Sequence, residues 1–98
     1  MQIPDYITKL LWDVKIQNLS MVKDADFIIE RVLEYGDQPE FSWLEANFER
    51  EQIINKLISS PNLSAKSANF YAFIYQIPKN QIMALQKNYL NKQSRFSS

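Results

Sequence analysis

Eleven carboxylates, with no histidine and no cysteine, are what this 98-residue chain offers for acid–base or metal chemistry. The missing residue types remove the usual general base, the thiolate nucleophile, disulfides and every Cys/His zinc arrangement. The most ordered carboxylates are Asp26, Glu30 and Glu34. Spaced by four, they stack on one face of a helix, where each like-charge pair costs a few tenths of a kcal/mol in isolation. A calcium loop is not among the things they can make, because after Asp24 and Asp26 the next alternate position is Ile28. A glycosidase-like pair needs a cleft with one desolvated acid, and nothing in the pattern marks one. The single glycine, Gly36, cannot build a phosphate-cradling loop. The expectation is therefore a non-enzymatic binding protein with no catalytic residue, metal or cofactor.

The acidic stripe then reads in two ways. Asp26, Glu30 and Glu34 form a docking face for a basic partner or for the chain's own basic half, or they form a solvated face relieved by Lys23 and Arg31. The solvated face is the more ordinary of the two, and the charge distribution keeps the docking face open. Residues 1–51 hold all eleven acids against five bases, whereas residues 52–98 hold six bases and no acid, so a net charge of zero conceals halves of −6 and +6. Such halves either neutralise each other, within one chain or across a homo-oligomer, or face different partners.

The elements that must position these groups read as helices, since Gly is scarce and apolar residues recur at three and four. The fold class expected is all-α, a compact bundle of five to six helices over residues 1–90 with a polar tail at 91–98. A first helix spans residues 5–14 on Ile7, Leu10, Leu11 and Val14. Ser20 caps a second, with the stripe Met21, Ala25, Ile28, Val32, Tyr35 and an end at Gly36. Asp37-Gln38-Pro39 makes a turn, and Ser42 with Glu45 reads as a capping box for a short helix carrying Trp43 and Leu44. Asn47 and Phe48 interrupt it, residues 49–59 form the next helix, and Ser64 caps another over 65–76 before Pro78. No apolar run approaches the 18 residues of a membrane span, and the first residues lack a signal-peptide pattern, so a cytoplasmic, non-membrane protein is expected.

Three consecutive helices across residues 42–76 have the lengths and short connections of a helix-turn-helix-like region. In that arrangement the last helix would offer Lys66, Ser67 and Asn69 to the major groove, with Lys56 and Lys79 on phosphates. Against DNA stand the thin tally of bases, the lack of Arg in that helix and a Pro-containing turn. The run Phe70, Tyr71, Phe73, Tyr75 reads first as core, then as a subunit or partner interface in which Phe70 and Tyr71 dock, and last as a platform for nucleobases. A basic amphipathic segment with Lys79, Lys87, Lys92 and Arg95 follows; it either closes the core as a solvated terminal helix, or docks on an acidic protein partner, wraps the acidic helix of a second copy, or touches nucleic acid.

Three segments carry a resemblance: Pro4-Asp5-Tyr6 with Leu11-Trp12-Asp13-Val14; the run from Phe27 to Asp37, FIIERVLEYGD; and the run from Leu63 to Tyr71, LSAKSANFY, followed by Ile77-Pro78-Lys79. Together they resemble a family of small uncharacterised bacterial and archaeal helical proteins, often encoded beside abortive-infection-type nucleotidyltransferase toxins. The resemblance implies an antitoxin-like or regulatory protein with a nucleotidyltransferase-type toxin as partner and a helical DNA-binding region. It implies no catalytic residue. The alternative is a pure protein–protein interaction or homo-oligomerisation module that binds no nucleic acid.

Overall fold

A computed structural model describes residues 3–86, the side chain of Ile16 excepted. Among these residues the fold is all-α, with short 3-10 turns and no strand: α1 (Asp5–Thr8), α2 (Ala25–Tyr35), α3 (Gln38–Asn47), α4 (Arg50–Ser59) and α5 (Ala65–Tyr75), followed by helical residues at 83–86. The tail at 91–98 and the distal part of the basic C-terminal segment lie outside the described residues.

α2 is the central element, packed by α3, α4, α5 and the 3-10 turn Lys9–Leu11. Two-sided packing explains why its buried stripe is wider than the spacing predicts. Ala25, Ile28 and Val32 are buried as expected, and so are Ile29 and Leu33 on the neighbouring face, while Tyr35 turns outward. Ile7, Leu11, Leu44, Ile53, Leu57 and Ile82 close around it. Fully burying side chains of this size contributes about 1.5–3 kcal/mol each.

Several helix ends differ from their sequence expectation. α1 stops at Thr8 and tightens into a 3-10 turn at Lys9–Leu11 instead of continuing to Val14, with Ile7 and Leu11 buried. Ser20 does cap, but what it caps is the turn before α2: its Oγ accepts from the Val22 and Lys23 N–H groups, and Asp24 Oδ2 accepts from Ser20 N–H at 2.8 Å. The Ser42–Glu45 box does not form, because α3 begins a full turn earlier. Asp37 is its N-cap, Pro39 sits in its first turn, and Glu40 Oε1 reaches back to the Asp37 N–H at 2.5 Å. Proline in a first turn loses no helical bond, which lets the expected turn become helix. Trp43 and Leu44 are buried as expected, and the helix breaks at Phe48.

Ser64 caps α5 through an acceptor bond from Ser67 N–H at 3.2 Å. The helix ends when Gln76 takes a left-handed conformation (φ 56°), with Ile77 N–H donating to Ala72 C=O at 2.9 Å and Gln76 N–H to Phe73 C=O at 3.2 Å, the two bonds of a Schellman stop. The aromatic run divides by helical phase. Tyr71 and Tyr75 join Ala68 and Ala72 in the core, whereas Phe70, Phe73 and Ile74 are exposed, so the core reading of the run is corrected for its two phenylalanines. Ala65, in the first turn of the helix, is exposed as well.

Candidate functional site

A cleft of about 590 Å³ opens where the end of α2, the first turns of α3 and one flank of α5 meet. Its walls are aromatic, from Tyr35, Phe41, Phe70 and Tyr71, and its polar lining includes Glu34, Asp37, Glu45 and Lys66. Gly36 forms the corner between α2 and α3. Its backbone is extended (φ −82°), so glycine is needed there for space and not for a left-handed conformation.

Each aromatic wall is held by a neighbour. Phe41 lies against Tyr71 at 5.0 Å and Tyr75 at 6.1 Å between ring centroids, and Phe70 meets Tyr71 edge-on at 4.9 Å. Tyr35 meets Trp12 edge-on at 5.1 Å, which extends the apolar rim toward the N-terminal segment. Tyr75 donates from its hydroxyl to Glu45 Oε2 at 3.1 Å, and the Arg50 guanidinium lies 5.2 Å over its ring. Burial, followed by the Glu45 carboxylate, pushes the Tyr75 phenol far above its usual range. Burial also raises the Tyr71 phenol, with the charges of Asp37 and Glu40 adding to the effect.

Glu30 and Glu34 of the acidic stripe are engaged by the chain itself. The buried Ser60 donates from its hydroxyl to Glu30 Oε2, and Lys56 Nζ lies 3.8 Å from the same oxygen. Glu34 Oε1 accepts from Ser64 N–H at 2.8 Å, and Ser67 Oγ donates to the Glu34 carbonyl at 3.4 Å. Both carboxylates tie α2 to the turn between α4 and α5. Asp26, one turn earlier, is exposed.

The same bonds bear on the residues expected to face DNA. Lys56 pairs with Glu30, Ser67 is bonded through its side chain to α2, and Asn69 Nδ2 donates to Ala65 C=O at 2.8 Å. Lys66 and Lys79 remain exposed and, among the described residues, without an ion pair. Phe70 and Tyr71 meet at the cleft, Phe70 on its rim and Tyr71 in its wall.

Residues 7–57 match a family of unknown function, DUF6922. The chain belongs to that family. The matched part of this DUF6922 member runs from α1 into α4 and so covers the α2–α3 corner of the cleft, while the α5 wall lies beyond it. No curated protein and no solved structure matches the chain. Among the described residues no three carboxylates gather closely enough to hold a metal ion, and no helix is long and apolar enough to cross a membrane.

One structural feature had no sequence signal strong enough to place it. Arg31 lies with its guanidinium 4.5 Å from the Trp12 ring and 4.8 Å from the Phe27 ring, donating to Asp13 Oδ2 at 2.6 Å and to Leu10 C=O at 3.0 Å. It clamps the N-terminal segment onto α2, against the rim residue Tyr35. The guanidinium beside Asp13 holds that carboxyl below the usual carboxylate range.

Proposed function

We propose that this protein is a non-enzymatic protein-interaction module that docks a partner on the exposed flank of α5 and the adjoining cleft. The observation that carries this reading is the outward face of α5. Phe73 is 80% exposed and Phe70 55%, with Ile74 beside them, on a helix whose opposite face is already in the core. Large aromatic side chains on a well-supported helix are the usual anchors of an interface. The partner chemistry that fits is apolar and cationic, since carboxylates outnumber the one ammonium of the lining. The nucleotidyltransferase-type toxin implied by the family resemblance is a candidate occupant, and that assignment would make this chain antitoxin-like.

A second reading, contact with DNA, is favoured by one observation. The order α3, α4, α5 is helix-turn-helix-like, and Lys66 is exposed on the first turn of the third helix. With Lys56, Ser67 and Asn69 engaged internally, Lys66 and Lys79 are the expected cations left for phosphate. Two phosphate contacts from the described residues correspond to a log–log salt slope of about −2.

One paired experiment separates the readings. Tagged wild-type protein and the Phe70→Glu/Phe73→Glu double variant are purified from the native host, and each is titrated with a labelled duplex at low and physiological salt. The interaction reading predicts a stoichiometric protein partner that the double variant loses, with duplex binding absent at physiological salt. Duplex binding that persists there and is lost in Lys66→Glu, with no partner lost by the double variant, would replace it with the DNA reading.

A further inference from the structure

We infer that the cleft between α2, α3 and α5 accepts the guanidinium of an arginine presented by the partner protein; this names the partner chemistry of the docking site proposed above and rests on that reading. Four observations converge on it. The lining holds three carboxylates, Glu34, Asp37 and Glu45, against one ammonium, Lys66, so a cation is favoured over an anion. Tyr35, Phe41 and Phe70 supply ring faces beside those carboxylates, and a planar, weakly hydrated guanidinium stacks on such faces better than a compact ammonium does.

Tyr71 provides the third observation. The residue is 4% exposed, and among the described residues its hydroxyl has no hydrogen-bond partner. No fully buried side-chain oxygen or nitrogen is left without a partner among those residues, so the Tyr71 hydroxyl keeps some contact with solvent, and the residue lines the cleft. Its lone pairs are acceptors, and a guanidinium brings five N–H donors in a fixed fork. A purely apolar occupant would seal this hydroxyl away from water without a partner and would strip water from the charges of Glu34, Asp37 and Glu45, which is unfavourable.

The fourth observation is that the chain already holds two guanidinium groups on ring faces, one of them with a carboxylate bonded to it. Arg31 lies on Trp12 and Phe27 with the Asp13 carboxylate beside it, and Arg50 lies over Tyr75, whose hydroxyl is bonded to Glu45. The cleft likewise sets aromatic rings beside carboxylates. Lys66, exposed at its edge, is too strongly hydrated to be a close substitute and would repel an incoming cation.

The test uses the full ¹⁵N-labelled chain and three small probes: N-acetyl-arginine amide, its uncharged isostere N-acetyl-citrulline amide, and inorganic phosphate. The arginine probe should shift the amides of Gly36, Asp37, Phe70 and Tyr71 along one saturable curve, with the citrulline probe about tenfold weaker. Phe70→Ala should weaken arginine binding by about threefold, and Lys66→Glu should tighten it by a similar factor. Val22 is exposed and does not line the cleft, so Val22→Ser should leave it unchanged. Equal binding of citrulline, a larger response of the same amides to phosphate, or arginine shifts confined to other amides would each overturn the assignment. If arginine binds as described while the Phe70→Glu/Phe73→Glu variant keeps its partner, the docking reading fails and the arginine site stands. If the partner is lost and arginine does not bind the cleft, the docking reading stands and the arginine assignment fails.

Discussion

Gly36→Ala should destabilise the fold by about 1–3 kcal/mol, the range of an overpacked position, and should distort the cleft at the same time. A β-carbon at this corner would lie 2.7 Å from the Val32 carbonyl oxygen, 2.9 Å from Glu40 Cβ and 3.2 Å from Val32 Cγ1. The first contact cannot be relieved by a side-chain rotation. The same carbonyl accepts the Gly36 N–H at 2.8 Å, so moving away from it loosens the bond that ends α2. Relief in the other direction pushes Glu40 and the first turn of α3 outward, and with them Asp37 and Phe41 of the lining. For a chain of this size the loss corresponds to a drop in Tm of roughly 4–8 °C per kcal/mol. Urea denaturation of the two proteins measures it directly. A variant as stable as the wild type would show that α2 and α3 do not approach as closely as described.

Arg31→Ala should cost about 2–3 kcal/mol, from the charged hydrogen bond to the Leu10 carbonyl and the two ring contacts, counted without full additivity. Its ion pair with Asp13 is solvent-exposed and adds most at low salt. Arg31→Lys should recover little of the loss, because an ammonium keeps the charge but neither the planar stack nor the fork of donors. Trp12 is exposed on one side and covered by Arg31 on the other, so its fluorescence should respond to both substitutions. The pH dependence follows in sign from Asp13, whose carboxyl is held low by the Arg31 hydrogen bond. Its contribution is complete above the ordinary carboxylate range, near 4, and is lost as pH falls through the lowered folded-state value. Arg31→Ala should lack that part of the acid transition. Equal acid sensitivity in the two proteins would contradict the clamp.

The helical class, the break at Phe48, the Ser64 cap and the span of α4 and α5 were legible because each rests on local signals: apolar period, cap residues and Pro placement. The start of α3 was misplaced by a competition between two local signals. Asp37 with Glu40 and Ser42 with Glu45 are both capping patterns, and the earlier one forms because Pro39 is tolerated in a first turn. Gly36 was legible as a helix end but not for the right reason, since a close approach between two helices leaves no trace in one strand of letters. The division of the aromatic run had the opposite cause. α5 is apolar nearly all round, and only its tertiary placement against Phe41 and α2 decides which residues turn in.

For the candidate site, the residue types were legible and their engagement was not. Lys56, Ser67 and Asn69 read as available polar groups, yet Glu30, the Glu34 carbonyl and the Ala65 carbonyl take them up. Glu30 and Glu34 carried the signal of a stripe with something to offset it, and what offsets it lies thirty residues along the chain, at Ser60 and Ser64. The wider charge segregation leaves a smaller mark than its size suggests. Among the described residues, Lys56 with Glu30 is the ion pair that joins the acidic half to the basic one.

The central claim is that the outward face of α5 meets a protein. The measurement that tests it most directly is photo-cross-linking in the native host, with a benzophenone side chain placed at position 73 and, as a control, at position 22, where Val22 is 86% exposed on a different part of the surface. The account predicts one protein adduct of defined mass at position 73, absent at position 22 and lost when Phe70→Glu is added. Adducts to nucleic acid at position 73, or protein adducts that are the same at both positions, would contradict it.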